Sequence, residues 1–453
     1  MINALTPEPH ASSPSAANAK RSEICAWAMY DVANSTYATV VATAVYNAYF
    51  VKTIAGPDAS GGHGLGTLLL TVIICIAALM VVITAPVLGT IADATAQKKK
   101  LLLVSTICCV IATGSLSLVG PGNYVPAMIL LIIANFTFGT GEDFIASFLP
   151  ELATKKDMGK ISAFGWGAGY VGGLFSLGGC AAYVYWAQLH GQTSSQYVPV
   201  LMVCCAIFYA TFSVPTFLFL RERAVADASI KPADYIKIGF ARLQTTFSHA
   251  RHYRDLFALL LTICIYSCGT TTVVHLASVY AQEALKFTAS ESITLILVVD
   301  ITAAVGAFVF GYVQDKIGSI RTLTITLAIW TVAIFVAYHA QTKMDLWIAG
   351  NIVGLAMGAS GSAGRALVGQ FSPPGRSGEF LGLWGVAVKL ATAIGALSFG
   401  LITFLTHSNF RVALLSTEMF FIVGLILLQT VNEERGFRAA HESVVPCDLG
   451  IGE

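Results

Sequence analysis

The chain has 453 residues, of which 56% are hydrophobic and only 11% charged, with a net charge of +1 and a mean hydropathy of +0.72. Soluble globular domains carry about 25% charged residues, so this composition excludes a water-facing fold and predicts an all-α membrane protein with many spans. The balanced charge, without a basic patch interleaved with aromatics, gives no footing for nucleic acid.

The first 22 residues are rich in Ala, Ser and Pro and lack an apolar core, which reads as a flexible cytoplasmic tail and not a cleavable signal peptide. A spanning helix needs about 20 apolar residues. Twelve stretches are expected to qualify: Ile24–Val51, Leu65–Ala92, Leu101–Val119, Val125–Leu152, Ile161–Ala187, Val198–Leu220, Leu256–Tyr280, Ile293–Val313, a short ninth at Leu323–Tyr338, Leu346–Phe371, Phe380–Leu405 and Val412–Val431. The polar stretch 221–254 is predicted to be a cytoplasmic linker whose Tyr235, Ile236, Phe240 and Leu243 form the apolar stripe of a short surface helix. It separates an N-terminal six-helix half (23–220) from a C-terminal one (255–432), and 433–453 is a second tail. With the N-terminus inside, the inner loops and tails hold 20 of the 26 lysines and arginines. The outer loops hold Lys52, Lys286, Lys343 and Arg411, while Arg365 and Lys389 lie inside helices. Both termini therefore read as cytoplasmic.

The halves repeat. Gly89-Thr-Ile-Ala-Asp93, followed by Lys99, recurs 222 residues on as Gly311-Tyr-Val-Gln-Asp315, followed by Arg321. The same offset carries Asp143 onto Arg365. Nine of the ten cysteines sit in apolar stretches, and no His/Cys cluster has zinc spacing, so neither a metal nor a cofactor is expected.

Two parallel six-helix halves with Gly-x-x-x-Asp and a following base in both inner loops resemble the major facilitator superfamily. Within it the chain is similar to the vacuole-effluxer branch, the autophagy-related vacuolar permeases and their bacterial relatives. The resemblance rests on Tyr30-Asp31-x-Ala33-Asn34-Ser35-x-Tyr37-Ala38, on Leu149-Pro150-Glu151-Leu152-Ala153, on Phe164-Gly165-Trp166-Gly-x-Gly169-Tyr170-x-Gly172-Gly173, and on Arg365 with Pro373-Pro374-Gly375-Arg376. Three positions depart from it: Glu142-Asp143 and Asp300 stand where neutral residues are familiar, and Tyr266-Ser-Cys-Gly269 stands where an Asn-Asp pair is usual. The resemblance implies a secondary transporter whose first, fourth, seventh and tenth helices line a central cavity. It also implies an inner gate built on Gly89, Asp93, Lys99, Gly311, Asp315 and Arg321.

Asp31, Asn34 and Ser35 are spaced to share a helical face, and a carboxylate at membrane depth is a functional-site hypothesis by default. Asp31 lies about seven residues from the inner end of its helix, Glu142 and Asp143 about nine or ten, and Arg365 about six, so all four fall near one depth at 1.5 Å per residue. A structural ion pair of Arg365 with Asp143 or Asp31 is expected. One arginine leaves at least one acid over, able to hold a proton or a cationic group in a low-dielectric cavity. Asp143 shares a face with Thr140 and Ser147, and of the two adjacent acids only one is expected to face the cavity fully. Gly354, Gly358, Gly361 and Gly369 flank Arg365 for packing or for ligand clearance, and Gly165, Gly169 and Gly173 form a packing ladder. Asp300 and Lys389 are expected to pair with each other. His275 titrates in the physiological range or serves as a packing residue.

The sequence reading is a secondary transporter for a small polar solute, an amino acid or another zwitterion, coupled to protons. It is expected to work as a monomer in a bacterial inner membrane, with its substrate, protons and the lipid bilayer as partners. A proton-driven exporter of cationic or amphipathic compounds is the alternative within transport, and a non-transporting receptor or scaffold the alternative outside it. No Ser/His/Asp cluster, metal set or phosphate loop supports an enzyme.

Overall fold

A computed structural model describes residues 20–56, 65–152, 158–223, 236–237, 253–371 and 377–442. Most of the first tail, nearly all of the linker with its apolar stripe, the Pro373-Pro374-Gly375-Arg376 motif and the end of the chain lie outside the described residues, as do the side chains of Asp93 and Asp315 and the surroundings of Gly311.

All the described regular structure is helical. Helix α1 covers Arg21–Thr36 and runs on through π-helical turns at Tyr37–Ala44 and Phe50–Ile54, with a short α-helical piece, Tyr46–Tyr49, between them. Then follow α2 (Leu65–Thr95), α3 (Lys98–Ser115), α4 (Tyr124–Ser147), α5 (Met158–Leu189) and α6 (Ser194–Phe219). The second half contains α7 (Arg254–Ala284), α8 (Ala289–Ile317), α9 (Ser319–His339), α10 (Lys343–Gln370) and α11 (Ser377–Leu405). A broken last span, α12 (Phe410–Ser416) and α13 (Glu418–Leu428), and a terminal helix α14 (Glu433–Glu442) complete it. Helix α9 is longer than the predicted 323–338. Gly318, at φ +89°, turns the chain in one residue, so α9 starts directly after α8.

Among the described residues ten helices are long and apolar enough to cross a membrane. Of the twelve expected spans, the first and fifth fall outside that set. The α-helical part of the first is only 16 residues long before the π turns begin, and α5 is diluted by glycine.

Helix packing follows one plan twice. Helix α1 packs on α5 and α6, α4 on α2 and α3, and α3 on α6. Six helices on, α7 packs on α11 and α13, α10 on α8 and α9, and α9 on α13. Contacts between the two groups run chiefly through α2 with α11, α5 with α8, and the π-helical end of α1 with α7.

The chain termini of each group are tied by matching charges. Glu23, buried at the start of α1, pairs with Arg223 just after α6. Asp255, buried at the start of α7, receives Arg435 of α14 at 2.5 and 2.7 Å. The neighbouring acids cap helices: Glu222 accepts the backbone N–H groups of Lys98 and Lys99 at 2.6 and 3.3 Å, and Glu433 accepts those of Ser319 and Ile320 at 3.4 Å each. A carboxylate on the free N–H groups and positive dipole end of a helix satisfies donors that the helix itself cannot. Each group is thereby closed by its own acid–arginine clamp and its own helix cap, on the side of the bundle where the chain begins.

Charged hydrogen bonds contribute about 1.5–3 kcal/mol each when one partner is buried, whereas exposed pairs are worth about 0–1 kcal/mol. Asp255→Ala should therefore lower thermal stability in detergent far more than Arg438→Ala, whose partner Glu434 sits one exposed helical turn away; equal shifts would remove the clamp's structural role.

Candidate functional site

The side of the bundle where α1 begins is termed the N-terminal side and the opposite one the far side. The membrane-depth charges of both helix groups meet in between. Glu142 of α4 accepts a hydrogen bond from Lys389 Nζ of α11 at 2.7 Å, an ion pair across the two groups with side chains 40% and 24% exposed. Lys389 Nζ also stands 5.9 Å from the centre of the Phe138 ring. Asp143, one residue on, turns toward α2. It lines a crevice of about 160 Å³ with Thr140, Ser147, Gly89 and Lys98, and its side chain is exposed. The crevice runs from the depth of Val81 to Ala92 and Lys98 at the N-terminal side. The two adjacent acids thus diverge as their 100° helical offset requires.

Asp31 faces α5. A Cβ placed on Gly165 would lie 2.6 Å from Asp31 Oδ2, and one on Gly172 would lie 2.8 Å from both Val32 Cα and Ser35 Oγ. The expected glycine ladder is real packing, with Gly172 added as a close contact that tolerates no side chain. Asn34 and Tyr30 point elsewhere: Tyr209 O–H donates to Asn34 Oδ1 at 2.9 Å, and the Tyr30 hydroxyl pairs with Thr106 at 2.9 Å and Tyr209 at 3.2 Å. The expected shared face of Asp31, Asn34 and Ser35 therefore splits, Asp31 and Ser35 toward α5 and Asn34 with Tyr30 toward α3 and α6. Tyr37 is buried with its ring 4.8 Å from Phe138, and its hydroxyl has no partner among the described residues.

Arg365 makes no ion pair among the described residues, contrary to the expected bond to Asp143 or Asp31. Its guanidinium stacks 5.0 Å above the ring of Trp166 on α5, within electrostatic reach of Asp31 and Tyr170. Gly354 and Gly358 press α10 onto Thr302 and Ala303 of α8, whereas a Cβ on Gly361 or Gly369 would meet nothing within 4 Å. One end of the glycine run packs and the other leaves space. The expected Asp300–Lys389 pair does not form: Lys389 pairs with Glu142 instead. Asp300 has no ion pair among the described residues and lies near Tyr170. Six charges thus collect around the seam, the acids Asp31, Glu142, Asp143 and Asp300 against the bases Arg365 and Lys389.

Toward the far side α1 and α7 are joined by hydrogen bonds. In the π-helical part of α1 the hydrogen bonds reach five residues back, as from Val45 N–H to Val40 O at 2.9 Å. The Ala42 carbonyl accepts from Asn47 Nδ2 at 2.6 Å and from His275 Nδ1 at 3.3 Å. Ser278 Oγ donates to Thr43 O at 2.5 Å, and Asn47 Nδ2 also reaches His275 O at 3.0 Å. His275 is therefore part of the seal between α1 and α7. Of the expected inner-gate residues, Gly89 lines the crevice, Arg321 is exposed, and Lys99 Nζ donates to Leu220 O at 2.6 Å within its own helix group.

Trp166, Asn47 and Ser278 were not singled out from the sequence. Trp166 belongs to a quoted motif, and Asn47 is a buried amide at membrane depth, the kind of residue that marks a contact. Among the described residues no group of three or more His, Cys, Asp or Glu side chains could hold a metal. What the seam can do is store protons, bind an ammonium group on an acid, or bind a carboxylate on Arg365 or Lys389.

Residues 69–441 match the family described as vacuole effluxer Atg22 like. The chain is 26% identical to an uncharacterized MFS-type transporter, YxiO, of Bacillus subtilis over 90% of this chain and 94% of that one. It is 24% identical to autophagy-related protein 22 of Kluyveromyces lactis, covering 77% and 75%. A crystal structure of a D-xylose-proton symporter superposes with a TM-score of 0.71 at 12% identity, over 92% of this chain and 98% of that one.

A half-exposed ion pair is worth about 1 kcal/mol, while a charge left alone in low dielectric costs more. Lys389→Met should destabilise the protein, and adding Glu142→Gln should restore most of the loss, a coupling of about 1 kcal/mol in a double-mutant cycle of thermal unfolding. Strict additivity would show that the pair does no structural work.

Proposed function

The chain belongs to the Atg22-like vacuole effluxer family, and from that premise we propose that it is a proton-coupled secondary transporter of a small polar solute, an amino acid or another zwitterion. The chain is a multi-pass integral membrane protein of the MFS transporter type. The finer reading takes both expected spans outside the ten as crossing the membrane, giving twelve. It places both termini in the cytoplasm and the protein in a bacterial inner membrane.

The observation that carries the reading is the Glu142–Lys389 bond, which joins the two helix groups at membrane depth beside a crevice open to the N-terminal side. Rocking one group against the other stretches that bond. A proton on Glu142 cancels its charge and releases Lys389. A solute carboxylate is then held by Lys389 or by Arg365, while Asp31 or Asp143 takes an ammonium group or a second proton. Arg365 suits a planar anion, because its fork is stacked on Trp166 and not tied to a carboxylate. The α1–α7 seal keeps the far side shut during this exchange, as alternating access requires.

The excess of acids over bases favours the second reading, export of cationic or amphipathic compounds, in which the acids bind the cation directly. The two readings differ in the solute that competes for the site. The transport test is solute flux into proteoliposomes with and without a pH gradient. Wild-type flux should rise with the gradient, and Asp31→Asn and Glu142→Gln should cut gradient-driven flux by about tenfold or more, as loss of an essential proton site does. Flux of an identified solute that ignores both the gradient and the substitutions overturns proton coupling, and flux confined to cations selects the second reading.

A further inference from the structure

On the far side, beyond the seal, a second cavity of about 330 Å³ opens between the helix groups. We infer that it is a separate solute site, taking a small hydroxyl- or amide-rich solute of neutral or negative charge, and that its occupant braces the α1–α7 seal. The site is built from both sides of the seam. Lys52 and Tyr49 come from the end of the first span, Gln188 and Tyr197 from α5 and α6, and Gln282 and Thr288 from α7 and the start of α8.

Its chemistry is the reverse of the charged seam. Among the described residues Lys52 is the one charged residue of the lining, and none of those lining it is a carboxylate. An ammonium-bearing solute finds no counter-charge among them, whereas an anion finds an exposed lysine and a neutral polyol finds amides and hydroxyls. In the wall Tyr197 stands near Gln188, and Tyr49 near Ser195. Gln282, 8% exposed, lines the cavity, where its side-chain amide offers an occupant both a donor and an acceptor. At about 30 Å³ per water-sized group the volume suits a solute of roughly a dozen non-hydrogen atoms.

The coupling to the seal follows from the chain. Ala44 and Val45 of the lining directly follow Ala42 and Thr43, whose carbonyls make the seal, and Gln282 lies one helical turn beyond Ser278. A solute spanning Lys52 and Gln282 therefore ties together the two segments that the seal already joins.

The test is calorimetric binding to the full-length protein in lipid nanodiscs, using three six-carbon probes that differ in charge: gluconate, sorbitol and the cationic glucamine. Gluconate should bind saturably, sorbitol more weakly and glucamine not at all. Lys52→Met should weaken gluconate by about tenfold, the value of one charged contact, and leave sorbitol unchanged. Gln282→Leu should weaken both, and Arg365→Met, in the charged seam, neither. Gluconate should also slow amide hydrogen exchange in 40–50 and 275–285. The inference is overturned if neither gluconate nor sorbitol binds, if glucamine binds as well as gluconate, or if Arg365→Met and not Lys52→Met abolishes binding. Lys52 is exposed, so its substitution keeps the test independent of folding.

Discussion

Opposite charges from two separately closed helix groups meet at Glu142 and Lys389, 2.7 Å apart at membrane depth. A lone charge at that depth is expensive, so each partner keeps the other in place, and the bond can open only if something replaces one of the charges. A proton on the carboxylate or an anion on the ammonium does so. Under the proposed proton-coupled reading, the rest of the molecule is the apparatus that makes this exchange consequential.

That apparatus requires rigid halves and two alternative closures. Rigidity comes from the clamps at the chain ends, Glu23 with Arg223 and Asp255 with Arg435, and from Glu222 and Glu433 capping α3 and α9. All of these act within a helix group, so they resist bending without resisting rocking. Closure of the far side comes from hydrogen bonds between the π-helical part of α1 and His275 and Ser278 of α7, each worth about 1 kcal/mol net. A seal of a few such bonds is strong enough to populate one state and weak enough to be reversed by one ion-pair exchange.

Much of this was legible in the sequence. Apolar runs located most helices to within a few residues, the 222-residue repeat announced the doubled packing plan, and the spacing of Thr140, Asp143 and Ser147 placed them on the one crevice wall they share. The partner of Lys389 was not legible. Depth alone made Asp300 its match, but depth ignores lateral position: α11 lies against α2 and α7, and α8 against α10 and α5. The rotation of α1 was misread for a similar reason. Residues three and four ahead of Asp31 fall on opposite flanks of its direction, 100° apart, so tertiary packing could and did send Asn34 and Ser35 to different neighbours. The π turns left no mark in composition, because their register is set by what α7 offers the carbonyls of Ala42 and Thr43.

On the proposed reading, the far-side seal and an opening at the N-terminal side are alternatives of one equilibrium governed by protons on the seam. Electron-spin distance measurements test it most directly. One label pair bridges the helix groups on the far side, at His190 and Lys286, and another on the N-terminal side, at Gln97 and Lys316. Titrated in nanodiscs from about pH 8 to about pH 5, the range in which such switches operate, the two distance distributions should shift in opposite directions, one widening as the other narrows. Distributions that move together, or a pH response that persists unchanged in Glu142→Gln, would contradict the account.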